Sequence, residues 1–216
     1  MNALHQLIDF ILHIDKHLEG IIDEYRALTY LILFVIIFCE TGLVVTPFLP
    51  GDSLLFAAGA LAVHEGNGLN VHLMAVLLMA AAFLGNMVNY SIGRFIGPKV
   101  FEKDYRFIRR DYLLRTHEFF EKHGGKTVII TRFAPILRTF APFVAGVGYM
   151  TYARFILFNL IGGFLWVFSF LYAGFFFGNV PVVKNNFSVV VIAIIVISLL
   201  PAFYAAIKTR FPGKHG

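Results

Sequence analysis

Residues 155–183 run for 29 positions without a charged side chain, and residues 73–93 for 21. A helix of roughly 20 apolar residues crosses the hydrocarbon core of a bilayer, where each backbone N–H and C=O must be satisfied within the chain. These runs dictate an all-α integral membrane protein. Two more stretches qualify by length: residues 28–46, with the single charge Glu40, and residues 187–207, with none. Composition agrees, since only 14% of the 216 residues are charged, against about 25% in soluble domains. The one cysteine, Cys39, leaves no internal disulfide to form.

Two other apolar stretches are broken. Residues 47–63, PFLPGDSLLFAAGALAV, carry Pro47, Pro50 and Gly51, and residues 128–148, VIITRFAPILRTFAPFVAGVG, carry Pro135, Pro142, Gly146 and Gly148. Bent backbone at membrane depth must be enclosed by protein or line a wet cavity. Each is expected as a re-entrant hairpin that enters and leaves on one side, with a kinked spanning helix as the alternative. About four spans and two hairpins then make up the membrane domain, residues 28–207. The halves echo one another: Ala58-Gly59 and Ala145-Gly146 close the broken segments, and Tyr90, Gly93, Gly97 and Tyr172, Gly174, Gly178 close the spans after them. Inverted halves whose broken helices meet near the midplane are how secondary transporters build a site.

Basic residues set the expected orientation. Residues 98–126 hold eight Lys/Arg and the tail 208–216 holds three, whereas residues 64–72 hold none. The positive-inside rule puts both basic regions, and with this layout both termini, in the cytoplasm. Residues 1–27 repeat apolar positions every three or four residues, which predicts an amphipathic helix lying in the interface. Segment 98–126 reads as a cytoplasmic interfacial helix that stops at Gly124-Gly125 and is drawn to anionic headgroups. Its tether between membrane segments argues against nucleic acid as a partner.

Four charges fall inside the apolar or broken segments: Glu40, Asp52, Arg132 and Arg138. Each costs about 2.5–3.5 kcal/mol at the centre of an inserted helix, so such groups face a cavity and one another. Guanidinium forks suit phosphate, so Arg132 and Arg138 are the candidate substrate-binding residues, gripping one phosphate together. Backbone N–H groups of a half-helix starting near Thr139 would assist. Glu40 and Asp52, as carboxylates in a low-dielectric cavity, are the candidate proton-coupling residues. Plainer roles stand beside these: Asp52 as a helix cap, Glu40 as the structural partner of an arginine, the arginines as salt-bridge formers, and Asn86 and Asn89 as interhelical hydrogen bonders. Asp9, His13 and His17 share a helix face, but a solvated polar stripe accounts for them better than a metal. No cofactor motif occurs, nor any of the H-E-x-x-H, G-x-S-x-G or Gly-rich phosphate-loop patterns of enzymes.

FCETGLVVTPFLPGDSLLFAAGAL, GNMVNYSIGRFIG and RFAPILRTFAPFVAGVG together resemble the DedA family of bacterial inner-membrane proteins, in its namesake branch. That family belongs to a wider VTT-domain group that includes eukaryotic lipid scramblases. The resemblance implies opposed re-entrant hairpins, dependence on the proton motive force, and translocation of lipid-linked phosphates such as undecaprenyl phosphate across the inner membrane. It places the family's two acids on Glu40 and Asp52 and its two arginines on Arg132 and Arg138. It also marks Asn86 as a departure, since relatives often carry Asp there. The expected partners are membrane lipids, either polyprenyl phosphate or phospholipid, and protons. A passive phospholipid scramblase and a structural or assembly factor for the envelope are the rival readings.

Overall fold

A computed structural model of the chain describes residues 26–43, 51–63, 68–102 and 110–197. The expected interfacial helix at 1–27 (but for its last two residues), the tail 208–216 and the end of the 187–207 run lie outside them. Among the described residues all regular structure is helical: α1 Arg26–Gly42, α2 Gly51–Leu61, α3 Val71–Glu102, α4 Arg110–Thr131, α5 Pro135–Val147, α6 Tyr152–Phe177, α7 Pro181–Asn185 and α8 Phe187–Ile197. The all-α expectation holds.

Two helices are long and apolar enough to cross a membrane, Val71–Gly97 within α3 and Tyr152–Phe177. They lie antiparallel. At one end His72 Nδ1 is 2.6 Å from the Tyr172 hydroxyl, and at the other Tyr90 stacks on Phe155 with centroids 4.3 Å apart. Their outward faces are apolar, with Val76, Phe95, Leu157 and Phe176 all more than half exposed, as lipid-facing helices require. Gly93 and Gly97, expected at the end of a span, lie inside α3, which continues to Glu102. Gly178 does close α6, its N–H bonding the Gly174 carbonyl at 2.7 Å.

α1 and α2 depart from the expected layout. The Tyr30 hydroxyl accepts a hydrogen bond from the Asn70 N–H at 2.7 Å, so α1 starts beside the start of α3. It then runs in the same direction as α3, and Asn89 Nδ2 donates to the Thr41 carbonyl at 3.2 Å near the middle of that helix. α2 begins where α1 ends, with the Gly51 N–H on Glu40 Oε1 at 3.2 Å, and follows α6 to its last turn, where Ala60 meets Gly178. Segment 26–61 therefore begins and ends at one end of the α3–α6 pair. A separate span at 28–46 followed by a hairpin at 47–63 gives way to one longer excursion. Every residue of α2 is buried, and its 11 residues rise only about 16 Å, half the thickness of a hydrocarbon core.

α4 and α5 repeat this from the opposite end. His117 Nδ1 approaches the Gly148 carbonyl at 2.8 Å, and α4 runs beside α6 until Arg132 reaches Asn159. α5 returns along α3, from the Asn89–Thr139 hydrogen bond of 2.7 Å to Val147 against Gly97. Gly124 and Gly125 do not stop α4, which continues to Thr131. Those glycines make room instead, Gly124 for Phe120 and Met150 and Gly125 for the Phe158 ring. α1 begins at the end of the α3–α6 pair opposite the one where His117 of α4 meets Gly148.

One packing device is used twice. Gly59 of α2 rests on the Leu171 carbonyl while Gly174 of α6 rests on that of Phe56; a Cβ on either glycine would overlap the oxygen. Gly146 of α5 rests on the Tyr90 carbonyl while Gly93 of α3 rests on that of Phe143, with the same consequence. In each pair both partner carbonyls come three residues before a clasp glycine. Such close backbone approach is the ordinary use of small residues in membrane helix packing. Each half lends its second short helix to the long helix of the other half, and the echo seen in the sequence is this clasp.

Candidate functional site

The end of α1 and start of α2, and the end of α4 and start of α5, lie between the middles of α3 and α6, and the four selected charges gather there. Glu40, Asp52, Arg132 and Arg138 are 1%, 4%, 2% and 4% exposed, so all four are shielded from solvent on every side. Arg138 holds both acids: Nη1 donates to Asp52 Oδ1 at 2.7 Å and Nη2 donates to Glu40 Oε1. Trp166 Nε1 donates to the same Asp52 oxygen at 2.8 Å, and the guanidinium carbon of Arg138 lies 5.0 Å from the indole centroid. A buried guanidinium on an aromatic face gains cation–π attraction in addition to its ion pairs.

Arg132 is treated differently. Nη2 donates to Asn159 Oδ1 and, at 3.5 Å, to the Ala82 carbonyl. Asn159 Nδ2 is fixed by the Phe83 carbonyl at 3.1 Å. Asn86 is best satisfied with its amide oxygen toward Arg132 Nη2 at 2.7 Å and its nitrogen on the Thr41 carbonyl at 3.3 Å. Gly162 and Gly163 leave the space through which the arginine stem passes. Among the described residues no carboxylate pairs with Arg132, and its Nε, like Glu40 Oε2, has no hydrogen-bond partner. Burying a cation among neutral amides is costly unless an anion completes the site.

Local sequence explains the placement. α5 begins at Pro135, whose ring presets helical φ at the first position. The helix thus starts four residues before the expected Thr139, and the Arg138 N–H is already bonded to the Ala134 carbonyl at 2.9 Å. Helix-end N–H groups at Thr139 are therefore not on offer to a ligand. Asp52 lies in the first turn of α2, but its Oδ1 reaches across to Arg138 and Trp166. Gly51 is needed beside it, because a Cβ there would overlap the Glu40 carboxylate. Asn89 is an interhelical bonder, joining α3 to α1 and α5.

Sequence reasoning missed Trp166 and Asn159. Trp166 is the sole tryptophan, and Asn159 is one of two amide side chains in the uncharged run 155–183; a polar group in such a run is itself the signal. No group of three metal-ligating side chains occurs among the described residues, and Asp9, His13 and His17 lie outside them.

At the end of the molecule where α4 meets α6, Glu121 accepts from the Thr151 N–H at 2.9 Å, the Thr151 hydroxyl at 2.8 Å and Arg154 Nη1 at 3.0 Å. The two Thr151 donors, with Arg154 adding to them, hold the Glu121 carboxyl below the usual range.

An all-helical protein with long apolar helices and a buried cluster of opposite charges between them is, by class, a helical membrane protein. The VTT domain family model matches residues 49–176. The chain is 57% identical over 211 residues to Protein DedA of Escherichia coli K12, covering 97% of this chain and 96% of that protein. It is 44% identical over 177 residues to an uncharacterized membrane protein of Mycobacterium tuberculosis, covering 82% and 78%. Inner membrane protein YqjA of Escherichia coli K12 is 38% identical over 157 residues, covering 72% and 70%. The chain belongs to the DedA family of VTT-domain membrane proteins. No solved structure matches it.

Proposed function

We propose that this protein carries lipid-linked phosphates across the bacterial inner membrane, coupled to the proton gradient, with undecaprenyl phosphate or a related anionic lipid as substrate. The observation that carries the reading is the contrast between the two buried arginines. Arg138 is neutralised by Glu40 and Asp52, whereas Arg132 meets only amides and a carbonyl. A phosphate would supply the anion that Arg132 lacks, and the planar donors of the guanidinium match its oxygens.

Charge balance then ties the phosphate to a proton. Two carboxylates and two guanidinium groups sum to zero, so an incoming phosphate monoanion leaves the buried cluster negative. Protonating Glu40 or Asp52 restores neutrality. As the phosphate competes for Arg138, the acid that loses its partner is left as an uncompensated buried charge, and taking up a proton removes that charge. Linkage requires the reverse: a protonated acid tightens phosphate binding.

On this reading the first re-entrant hairpin is the longer excursion 26–61 and the second is 128–148, entered from segment 98–126, and the two dip from opposite faces of the membrane domain. Residues 98–126 are cytoplasmic by their basic excess, and residues 64–72 face out. A structural role as an assembly factor has one observation in its favour, the double ion pair of Arg138 with Glu40 and Asp52. Exchanging signs, Glu40→Arg with Arg138→Glu, would restore function under that role and not under transport.

The test is purified protein in liposomes that contain polyprenyl phosphate or glycerophospholipid, with and without an imposed pH gradient. Glu40→Gln and Asp52→Asn are expected to bind the lipid phosphate at least as well as the parent and to show no gradient-driven flux. Neutral variants that answer the gradient like the parent would remove the proton coupling. Equal flux with and without a gradient in the parent would make the protein a passive scramblase.

A further inference from the structure

We infer that the outer face of α3 carries a second lipid site, separate from the buried cluster, which takes the phosphate of an anionic lipid at Arg94 and its chain along the helix. Leu84, Val88, Ser91, Ile92 and Phe95 fall on one face at helical spacing, and with Phe38 of α1 they line an open apolar groove of ≈ 640 Å³. At Ser91 and Phe95 the groove meets a second hollow, walled also by Tyr90, Arg94 and Tyr152. The chain half of the site is oily and the head half is polar, and they share a wall.

The head end is arranged around one cation. Arg94 Nη1 donates to the Tyr90 hydroxyl at 3.1 Å, and that hydroxyl is committed to the Met150 carbonyl at 2.5 Å. The Arg94 guanidinium carbon stands 5.7 Å from the Tyr149 ring centroid. Tyr149 has φ 54°, a left-handed conformation rare for an aromatic residue, and backbone of this kind clusters where ligands are held. Among the described residues Arg94 pairs with no carboxylate, and it is exposed. Its remaining donors are free to take a phosphate.

Orientation selects a lipid over a free anion. Arg94, Tyr149 and Tyr152 sit near the end of the molecule where α5 closes and His117 of α4 meets Gly148, at the level where tyrosines line a membrane interface. From Phe95 the groove leads back to Leu84 and Phe38, toward the middle of α3. Eleven residues of helix rise about 16 Å, close to the depth of one leaflet's share of a hydrocarbon core of about 30 Å. Head at the interface and tail toward the midplane is how a lipid of that leaflet already lies.

The test uses the purified full chain in detergent, titrated with dioleoyl phosphatidic acid, dioleoylglycerol or inorganic phosphate and read by native mass spectrometry. Phosphatidic acid should be retained about five-fold more strongly than dioleoylglycerol, the preference one interfacial basic residue provides. Arg94→Gln should abolish that preference, and Arg94→Lys should keep most of it. Ser91→Trp, which fills the shared wall, should weaken both lipids, and millimolar inorganic phosphate should displace neither. Unfolding temperature checks that each variant is folded; should Ser91→Trp fail to fold, Val88→Asp replaces it with the same expected result. Arg132→Ala should leave the preference intact whether or not transport is lost, which separates this site from the central one. A preference that survives Arg94→Gln, or disappears with Arg132→Ala, overturns the inference.

Discussion

The turning points of segments 26–61 and 110–147 share a scaffold and differ in chemistry. Counting back seven residues from the clasp glycine gives Asp52 before Gly59 and Thr139 before Gly146; one further back are Gly51 and Arg138. Backbone contacts at the glycines correspond between the halves, while acids sit on one tip and guanidinium groups on the other. Packing and charge are thus carried by different residues: the glycines hold the architecture in both halves, and the side chains at the tips divide the work. Within the basic tip there is a second division, since Arg138 is neutralised and Arg132 is not.

The largest effect should fall on that second division. Arg138→Ala strands two buried carboxylates, and breaking a buried pair costs about 3–5 kcal/mol. Arg132→Ala removes a cation from neutral partners, so its cost should be under half of that. Denaturant unfolding in detergent compares them, and equal losses would erase the distinction between the arginines. Next come the clasps. Gly93→Ala and Gly174→Ala each force a methyl group onto a carbonyl, and overpacking of this kind costs about 1–3 kcal/mol. Matching losses in the same unfolding experiment support equivalent halves; a harmless change in either one would mean that the repeat is not used alike.

A smaller effect separates the buried arginines from the peripheral one. Arg132→Lys keeps the charge and loses the fork, so gradient-driven flux should fall about ten-fold, the equivalent of one charge-assisted hydrogen bond. Arg154→Lys, on an exposed pair with Glu121, should leave flux unchanged at equal expression. The smallest effect is expected at that pair. Because the folded state holds the Glu121 carboxyl below its ordinary 4.5, its contribution is present at neutral pH and is lost as pH falls through the depressed folded value. Glu121→Gln should therefore lower the unfolding temperature slightly at pH 7 and progressively less below pH 4.5. Thr151→Val, lacking the hydroxyl donor, should reproduce part of the loss.

Much of this was legible in the sequence because a bilayer punishes charge and unpaired backbone so heavily. Glu40, Asp52, Arg132 and Arg138 could be chosen by cost alone, and the structure gathers them. The extent of the first excursion was not legible. Residues 28–46 are apolar enough to cross, and it takes the Tyr30–Asn70 and Asn89–Thr41 contacts together to show that α1 runs with α3. Apolar length measures solubility in lipid and carries no direction. Gly124-Gly125 misled for a related reason: glycine ends helices in water, yet between packed helices it is selected for close approach, as against Phe158. The partners of Arg132 were hidden because Asn159 and Asn86 come from two different helices that only folding brings together.

Placing the acids on one tip and the guanidinium groups on the other has an electrical consequence. The two tips approach from opposite ends of the α3–α6 pair, so any sliding of one past the other moves opposite charges in opposite directions along the same axis. Both displacements would move charge through the field with the same sign. A membrane potential does work of about 2.3 kcal/mol per elementary charge for each 100 mV crossed. Even a shift through a tenth of the field with two charges on each tip would sum to an appreciable fraction of one gating charge. A latch laid out in this way would feel the membrane potential whenever its tips slide past one another.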